Sequence, residues 1–445
     1  MAPPFENESL GVESNSRSTV LAARTSRTSR RRLLGAAATG ALGTAFAGCL
    51  SSLTGTGGDS GAVKIGVLTG GTGPAQSTAA EVAAETLEEN GGIRGRDVTV
   101  STAETDSSPL EARRSYHRLV LEEDVDVTMG ISTGTVLDYL IDDFAEQQLL
   151  HFTTGSESLT PTKRIDEEYE KYKYHFRTGP VNTEQLIENQ FAFLQNMGPQ
   201  QGWQSVGLLV EGYPWTEGIV STFEDQLPKL GFEIPYSHRY QPARDDFGSI
   251  YDDAEQAGVD VMWVVMGHTG DEAVTQWARE TRAFEFGGTH VRLQYPDYYE
   301  NLDAAPRFTF TQTSATATSE LTPRTQDFVD RYRSKSGGDE PIYTSYNMYD
   351  SIVAYAEAVE RAGAFDTEAV IAELESLEVP GTTGTISYYD GSSRYPHDRK
   401  FDPENDDHSG SIFFQWQTDE NGNGVQEVVW PEKFETATYT SPPWV

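Results

Sequence analysis

A chain of 445 residues with 33 basic and 69 acidic side chains, formal charge −36, is long enough for two domains with full cores. Its acidity excludes a nucleic-acid partner, which needs a basic face. Its single cysteine excludes an internal disulfide or a cysteine-built metal cluster. Residues 1–49 contribute +3, so the remainder carries −39, and only 8 lysines stand beside 25 arginines. Self-repulsion on that scale is tolerable where molar salt screens charges over ~3 Å, so the acidity reads as adaptation to a salty medium. An aromatic content of 11% and strongly periodic segments set the chain apart from disordered polyanions.

The first segment reads as an address. Ser29-Arg30-Arg31-Arg32-Leu33-Leu34 resembles the twin-arginine export motif, and the Gly/Ala-rich run 35–47 follows it. Phe46-Ala47-Gly48-Cys49 resembles a lipoprotein cleavage site, with Cys49 becoming the lipidated N-terminus. The run 35–47 holds 13 residues, short of the ~20 that span a bilayer. No other stretch is long and apolar enough to cross. Residues 50–62, rich in Ser, Thr and Gly, read as a flexible tether.

Residues 63–68 open the globular part as a buried strand, followed by the turn 69–74 and a helix over 75–90 that Gly91-Gly92 stops. A strand over 98–103 and a helix over 109–123 come next. Val125, Val127 and Met129 alternate as in a strand, residues 130–135 supply small and hydroxylated side chains, and Val136, Leu137, Leu140, Ile141 and Phe144 recur at helical spacing. Ser132 and Thr133 therefore sit where a helix begins, beside unpaired backbone N–H groups that favour an anion or a strong acceptor. A second pass of this design has a strand over 149–152 and the turn Thr153-Thr154-Gly155-Ser156-Glu157-Ser158. Two hydroxyl-rich loops at the carboxyl ends of neighbouring parallel strands make a small-ligand crevice, although Ser and Thr are also ordinary helix caps.

The alternation restarts after residue 180. Helices are predicted over 183–197, 217–230, 247–257 and 270–284, and strands over 206–210, 232–240, 259–266 and 291–293. Residues 308–313 read as a strand and 346–362 as a long helix. The carboxyl end turns antiparallel, with strands over 386–389, 411–417 and 425–430 and a turn at 419–424. That turn begins like a calcium loop, but Trp430 stands where the twelfth-position Glu belongs. The eight histidines show no zinc spacing, and neither metal nor cofactor is expected. The acidic runs 167–170 and 404–407 read as solvated surface. Gly130-Ile131-Ser132-Thr133-Gly134 also fits a G-x-S-x-G nucleophile elbow, for which His268, His290, His397 and His408 are available by order.

Taken in order, these segments resemble the branched-chain amino-acid-binding family of ABC-transporter substrate-binding proteins, with the type I periplasmic binding protein fold. The resemblance rests on Lys64-Ile65-Gly66-Val67-Leu68 with Thr72-Gly73-Pro74, on Asn90-Gly91-Gly92-Ile93-Arg94-Gly95, and on Asp106 ahead of a helix. Gly130-Ile131-Ser132-Thr133-Gly134, Phe152-Thr153-Thr154-Gly155-Ser156, Phe176-Arg177-Thr178, Tyr349-Asp350-Ser351-Ile352 and Phe413-Phe414-Gln415-Trp416 continue the series. It implies an α/β protein of two Rossmann-like lobes, each a parallel sheet flanked by helices, joined by a multi-strand hinge. Lobe 1 would comprise 63–180 plus 308–385, and lobe 2 would comprise 181–307 plus 386–445.

By the same resemblance, the loops of Ser132-Thr133 and Gly155-Ser156-Glu157 hold the ligand's carboxylate. Glu157 stands in place of a hydroxyl residue and would repel one. Trp215, in Gly212-Tyr213-Pro214-Trp215-Thr216-Glu217-Gly218, takes the place of the aromatic lid of the second lobe, and His268 that of a further wall residue. Asp297, with Tyr295 second, falls near the acid that meets the ligand's ammonium. The helix after Pro74 is about a turn and a half shorter than in the family and lacks its aromatic, leaving the first-lobe wall open or rebuilt. The implied function is an extracytoplasmic lipoprotein, anchored at Cys49, that captures a small polar solute and delivers it to ABC permease and ATPase subunits. The solute is a branched-chain or other amino acid, or an amide or urea-like molecule. A sensor for a signalling partner and a Ser132 hydrolase are the rival readings.

Overall fold

The computed structural model describes residues 61–105, 107–401 and 411–445. The arginine motif, Cys49, most of the tether, Asp106 and the acidic run 404–407 lie outside the described residues.

Strands buried on both faces carry apolar runs, while each covering helix needs a single apolar stripe. β1 (Val63–Thr69), β2 (Val98–Glu104), β3 (Val127–Gly130), β4 (His151–Thr153) and β5 (His175–Arg177) form a parallel sheet in the order β2-β1-β3-β4-β5. Between them run α1 (Gly73–Glu89), α2 (Pro109–His117), α3 (Gly134–Gln147), α4 (Thr160–Glu167) and α5 (Tyr169–Tyr172). α3 turns its predicted stripe, Val136, Leu137, Leu140, Ile141 and Phe144, onto Leu68, Tyr116 and Leu119.

α6 (Thr183–Gln201) begins a second unit, capped by Asn182, whose side chain accepts from Gln185 N at 3.0 Å. β6 (Ser205–Glu211), β7 (Glu233–Tyr240), β8 (Val261–Met266), β9 (Glu285–His290) and β10 (Phe310–Thr313) lie parallel in the order β10-β9-β8-β6-β7. α7 (Glu217–Gln226), α8 (Gly248–Ala257), α9 (Asp271–Glu280) and α10 (Tyr298–Asn301) connect them. α11 (Thr325–Ser336), α12 (Tyr343–Ala362) and α13 (Thr367–Leu374) return to the first sheet, where Phe328, Tyr346, Ile352 and Ile371 join its core. β11 (Val379–Pro380) and β12 (Thr385–Ile386) pair briefly, and β13 (Ile412–Thr418) and β14 (Gly424–Trp430) extend the second sheet antiparallel beyond β10.

Both parallel sheets have the same order. The second strand lies on one side of the first and the third on the other, so each sheet has one switch point, β1/β3 and β6/β8. A crevice opens there outside the carboxyl ends of the strands.

Several expectations are corrected. The strand expected over 291–293 lies earlier, at β9, and Val291–Gln294 coil into a 3-10 turn. Glycines hid it: a Cβ on Gly287 would stand 2.4 Å from the Phe310 carbonyl oxygen, so close pairing with β10 forbids the side chains that mark a strand. The helix expected over 270–284 ends at Glu280, where Thr281 turns left-handed with φ +49. The helix over 109–123 breaks into α2 and a π turn, Arg118–Glu122. The boundary at 308 is displaced, because β10 pairs within the second sheet. The boundary at 386 is displaced too. Tyr388 belongs to the first core and Asp398 bridges to Arg177 of β5, so residues 387–399 run along the first sheet.

Glu285 is buried at the start of β9, where it accepts a hydrogen bond from Tyr439 Oη at 2.9 Å. Burial pushes its carboxyl up to about 7, against hydrogen bonds from Ser441 and Tyr439. A raised carboxyl stabilises the fold fully below its unfolded value, near 4.5, and loses that contribution as pH rises through about 7. Glu285→Gln is therefore expected to add about 2–3 kcal/mol at pH 8 and almost nothing at pH 4. Denaturant titrations at both pH values check this, and an equal effect at both would refute it.

Candidate functional site

At the first switch point, β3 ends at Gly130 and the turn Ile131-Ser132-Thr133 leads into α3. Ser132 is half-buried, and a Cβ on Gly70, after β1, would stand 3.1 Å from its Oγ. Thr133 occupies the N-cap position of α3 without a side-chain cap bond; its hydroxyl lies 3.5 Å from Ser107 Oγ. The ordinary capping role thus does not account for it. Gly155 packs on this turn, where a Cβ would meet Ser132 Cα and Cβ at 2.9 Å and Thr344 Cγ2 at 3.1 Å. Ser156 is buried, and its Oγ accepts from Ser158 N at 3.3 Å, which closes the loop locally.

Glu157 is half-buried. Its carbonyl accepts from Thr183 N and Thr183 Oγ1, both at 2.9 Å, where the chain enters α6. Beneath this loop lies Arg177, fully buried. It donates to Asp398 Oδ1 at 2.9 Å and to the carbonyls of Ser156 and Ser158 on either side of Glu157.

At the second switch point a single carboxylate organises the wall. Glu211, the last residue of β6, is fully buried. Its Oε1 accepts from Trp215 Nε1 at 2.9 Å and from His268 Nδ1 at 2.8 Å. Its Oε2 accepts from His268 N at 3.0 Å, Thr269 N at 3.2 Å and Thr269 Oγ1 at 3.1 Å. Trp215 thereby lies over Gly267, whose Cβ would stand 3.1 Å from the indole. Tyr213 packs on the His268 ring at 4.5 Å between centroids.

Charge ties the two edges together. Burial pushes the Glu157 carboxyl up, while its backbone N–H, Arg177 and His268 pull it back. The hydrogen bond to Glu211 raises His268 above the ordinary imidazole value against burial, helped by the charges of Glu211 and Glu157. Burial also pushes Glu211 up, but hydrogen bonds from His268 and Gly267 outweigh it and hold the group below the usual carboxylate range. Tyr343, at the start of α12, is raised well above its usual value by burial, with Tyr295 and Glu157 adding to it.

Ser132, Thr133, Gly155, Ser156 and Glu157 thus gather at one edge, and Trp215 and His268 at the other. Asp297 is exposed at the cap of α10 with its carboxylate on Asn301 Nδ2 at 2.9 Å; among the described residues no hydrogen bond joins it to the others. Tyr295, half-buried, is the residue of that segment coupled to Tyr343. Sequence reasoning missed Glu211, Tyr213 and Tyr343. A charge closing the apolar run Val206–Val210 was the available signal for the first. Three buried polar atoms near the first edge, Thr72 Oγ1, Gln76 Oε1 and Thr344 Oγ1, have no partner among the described residues. A separate hollow of about 240 Å³ between α7 and β7, lined by Val220, Glu224, His238 and Arg239, lies on the second lobe alone.

Two like sheets whose switch points carry coupled polar and aromatic groups define a two-lobed binding protein with the type I periplasmic fold. A family model described as periplasmic binding protein matches residues 62–398. The Leu/Ile/Val-binding protein homolog 3 of Brucella melitensis is 21% identical over 336 residues, 73% of this chain and 87% of that one. Among solved structures, a protein described as a branched-chain amino acid ABC transporter from Silicibacter pomeroyi superposes with a TM-score of 0.74 at 18% identity, covering 86% of this chain and 100% of that one. The branched-chain amino acid transporter substrate-binding protein LivJ of Streptococcus pneumoniae, in complex with isoleucine, gives 0.66 at 18% identity, over 83% of this chain and 100% of that one. The chain belongs to the periplasmic binding protein family. Membership implies an extracytoplasmic location and a small solute as ligand.

Proposed function

We propose that the protein captures a small polar solute between its two lobes and delivers it to an ABC permease and its ATPase. It would be held at the outer face of the membrane by lipid on Cys49 after twin-arginine export. The solute is a branched-chain or other amino acid, or an amide or urea-like molecule. The carrying observation is that Glu157 at one switch point and His268 at the other are coupled in charge, Ser132 lying against the loop of the first and Trp215 sharing Glu211 with the second. Ligand binds one lobe, and closure of the second hides polar groups that the solute must then pair. The unpaired Thr72, Gln76 and Thr344 atoms support this, since buried polar groups are normally satisfied. The hydrolase alternative is disfavoured because, among the described residues, no histidine is hydrogen-bonded to Ser132.

Titration calorimetry in molar salt against amino acids, amides and urea tests the reading. Trp215→Ala is expected to weaken whichever solute binds by about tenfold to a hundredfold with little change in melting temperature. Unchanged affinity would remove Trp215 from the site, and Ser132-dependent turnover of short esters would favour the hydrolase.

A further inference from the structure

The two oxygens of Glu211 receive five donors, which saturates its roughly four lone-pair sites, so it has no capacity left for a solute. A carboxylate only accepts, so His268 carries its proton on Nδ1, and Nε2 is the ring nitrogen left for other partners. The His268 side chain remains 53% exposed, with Tyr213 packed against it at a tilt of 32°, so the ring is held by Glu211 yet reachable. Glu157, whose charge acts on the ring, offers acceptor oxygens. Arg177 beneath that loop is turned into Asp398 and the carbonyls of Ser156 and Ser158.

We propose that Glu211 is a positioning residue that presents His268 Nε2–H to the cleft as a hydrogen-bond donor, so that the second lobe reads an acceptor oxygen of the solute and Glu157 takes an N–H. This rests on the solute-binding reading and names its ligand class: a small molecule with an oxygen acceptor and an N–H donor at opposite ends, its acceptor seated on the second lobe. An amide or a urea meets that description, and so does an amino acid lying with its carboxylate on His268. Nε2 donates only from the imidazolium. The groups facing the ring are Glu211 from β6, Tyr213 from the following loop and Glu157 from the β4–α4 loop, and both carboxylates favour the charged form.

The test joins a ligand-free and a ligand-bound measurement. By NMR of the ligand-free protein, Glu211→Gln is expected to move the His268 titration midpoint down by about one unit or more; an unmoved midpoint overturns the proposal. By calorimetry with isobutyramide, urea and L-leucine in molar salt, wild-type affinity is expected to fall about tenfold or more between pH 5.5 and 8.5. His268→Gln, which keeps a donor at every pH, is expected to bind with a flat profile. A flat wild-type profile overturns the donor role and leaves solute binding standing. Failure of all three probes to bind the wild type overturns both. Should Glu211→Gln not fold, His268→Gln decides alone: a profile as steep as wild type refutes the proposal.

Discussion

Asp398→Ala is expected to destabilise the protein by about 3–5 kcal/mol, because it strands a guanidinium in the interior. Asp398 and Arg177 have side-chain exposures of 1% and 0%, so solvent screening offers no relief. Besides Arg177, Asp398 accepts from Thr162 Oγ1 at 3.0 Å and Asn182 Nδ2 at 2.7 Å, and one substitution leaves donors on β5, α4 and the α6 cap without a partner. Replacing both charges, as Arg177→Met with Asp398→Leu, is expected to cost clearly less than the two single changes summed, since no unpaired charge remains. Denaturant unfolding in molar salt measures all three variants. A loss below about 1 kcal/mol for Asp398→Ala would mean that water reaches Arg177. The consequence for the site is direct: Arg177 holds the carbonyls of Ser156 and Ser158, so the single variant also frees the loop that displays Glu157.

That pair also marks where sequence reading stops. The apolar runs of β1, β6 and β8 and the helical stripe of α3 were legible because each is a local pattern imposed by burial on a fixed period. Ser132 and Gly155 were legible because a turn at the carboxyl end of a parallel strand announces itself in small and hydroxylated residues. Asp398 reaches Arg177 across 221 positions and Glu211 reaches His268 across 57, and no period connects either pair. α11 went unread because Phe328, Val329 and Tyr332 are its only apolar residues, a stripe too narrow to stand out from a polar segment. Asp297, with Tyr295 second, rests on the resemblance alone. β9 ends at His290 and the next four residues coil, Tyr295 is coupled in charge to Tyr343, and Asp297 stands at the N-cap position of α10.

Gly130→Ala is expected to cost about 3–5 kcal/mol and to abolish solute binding in whatever fraction still folds. Gly130 has φ +120, a conformation that L side chains rarely adopt, and an added Cβ would stand 2.2 Å from the Leu68 carbonyl oxygen. That oxygen accepts from Ile131 N at 3.0 Å, and Gly130's own carbonyl accepts from Thr154 N at 3.1 Å. The methyl therefore presses on the bonds joining β1, β3 and the β4 loop. Backbone strain contributes ~1–3 kcal/mol, and a buried carbonyl left unpaired adds ~1–3 kcal/mol. The two residues after Gly130 are Ile131 and Ser132, so any backbone relief moves the serine away from Gly155 and Gly70. Gly71→Ala is the control: it lies in the turn after β1 with nothing within 4 Å of an added Cβ, and should change stability by no more than about 0.5 kcal/mol. Paired unfolding and calorimetry on the two variants separate a crowded switch point from a general intolerance of side chains at this edge. Wild-type stability in Gly130→Ala would mean that β1 and β3 do not close on each other as tightly as the Leu68 contact requires.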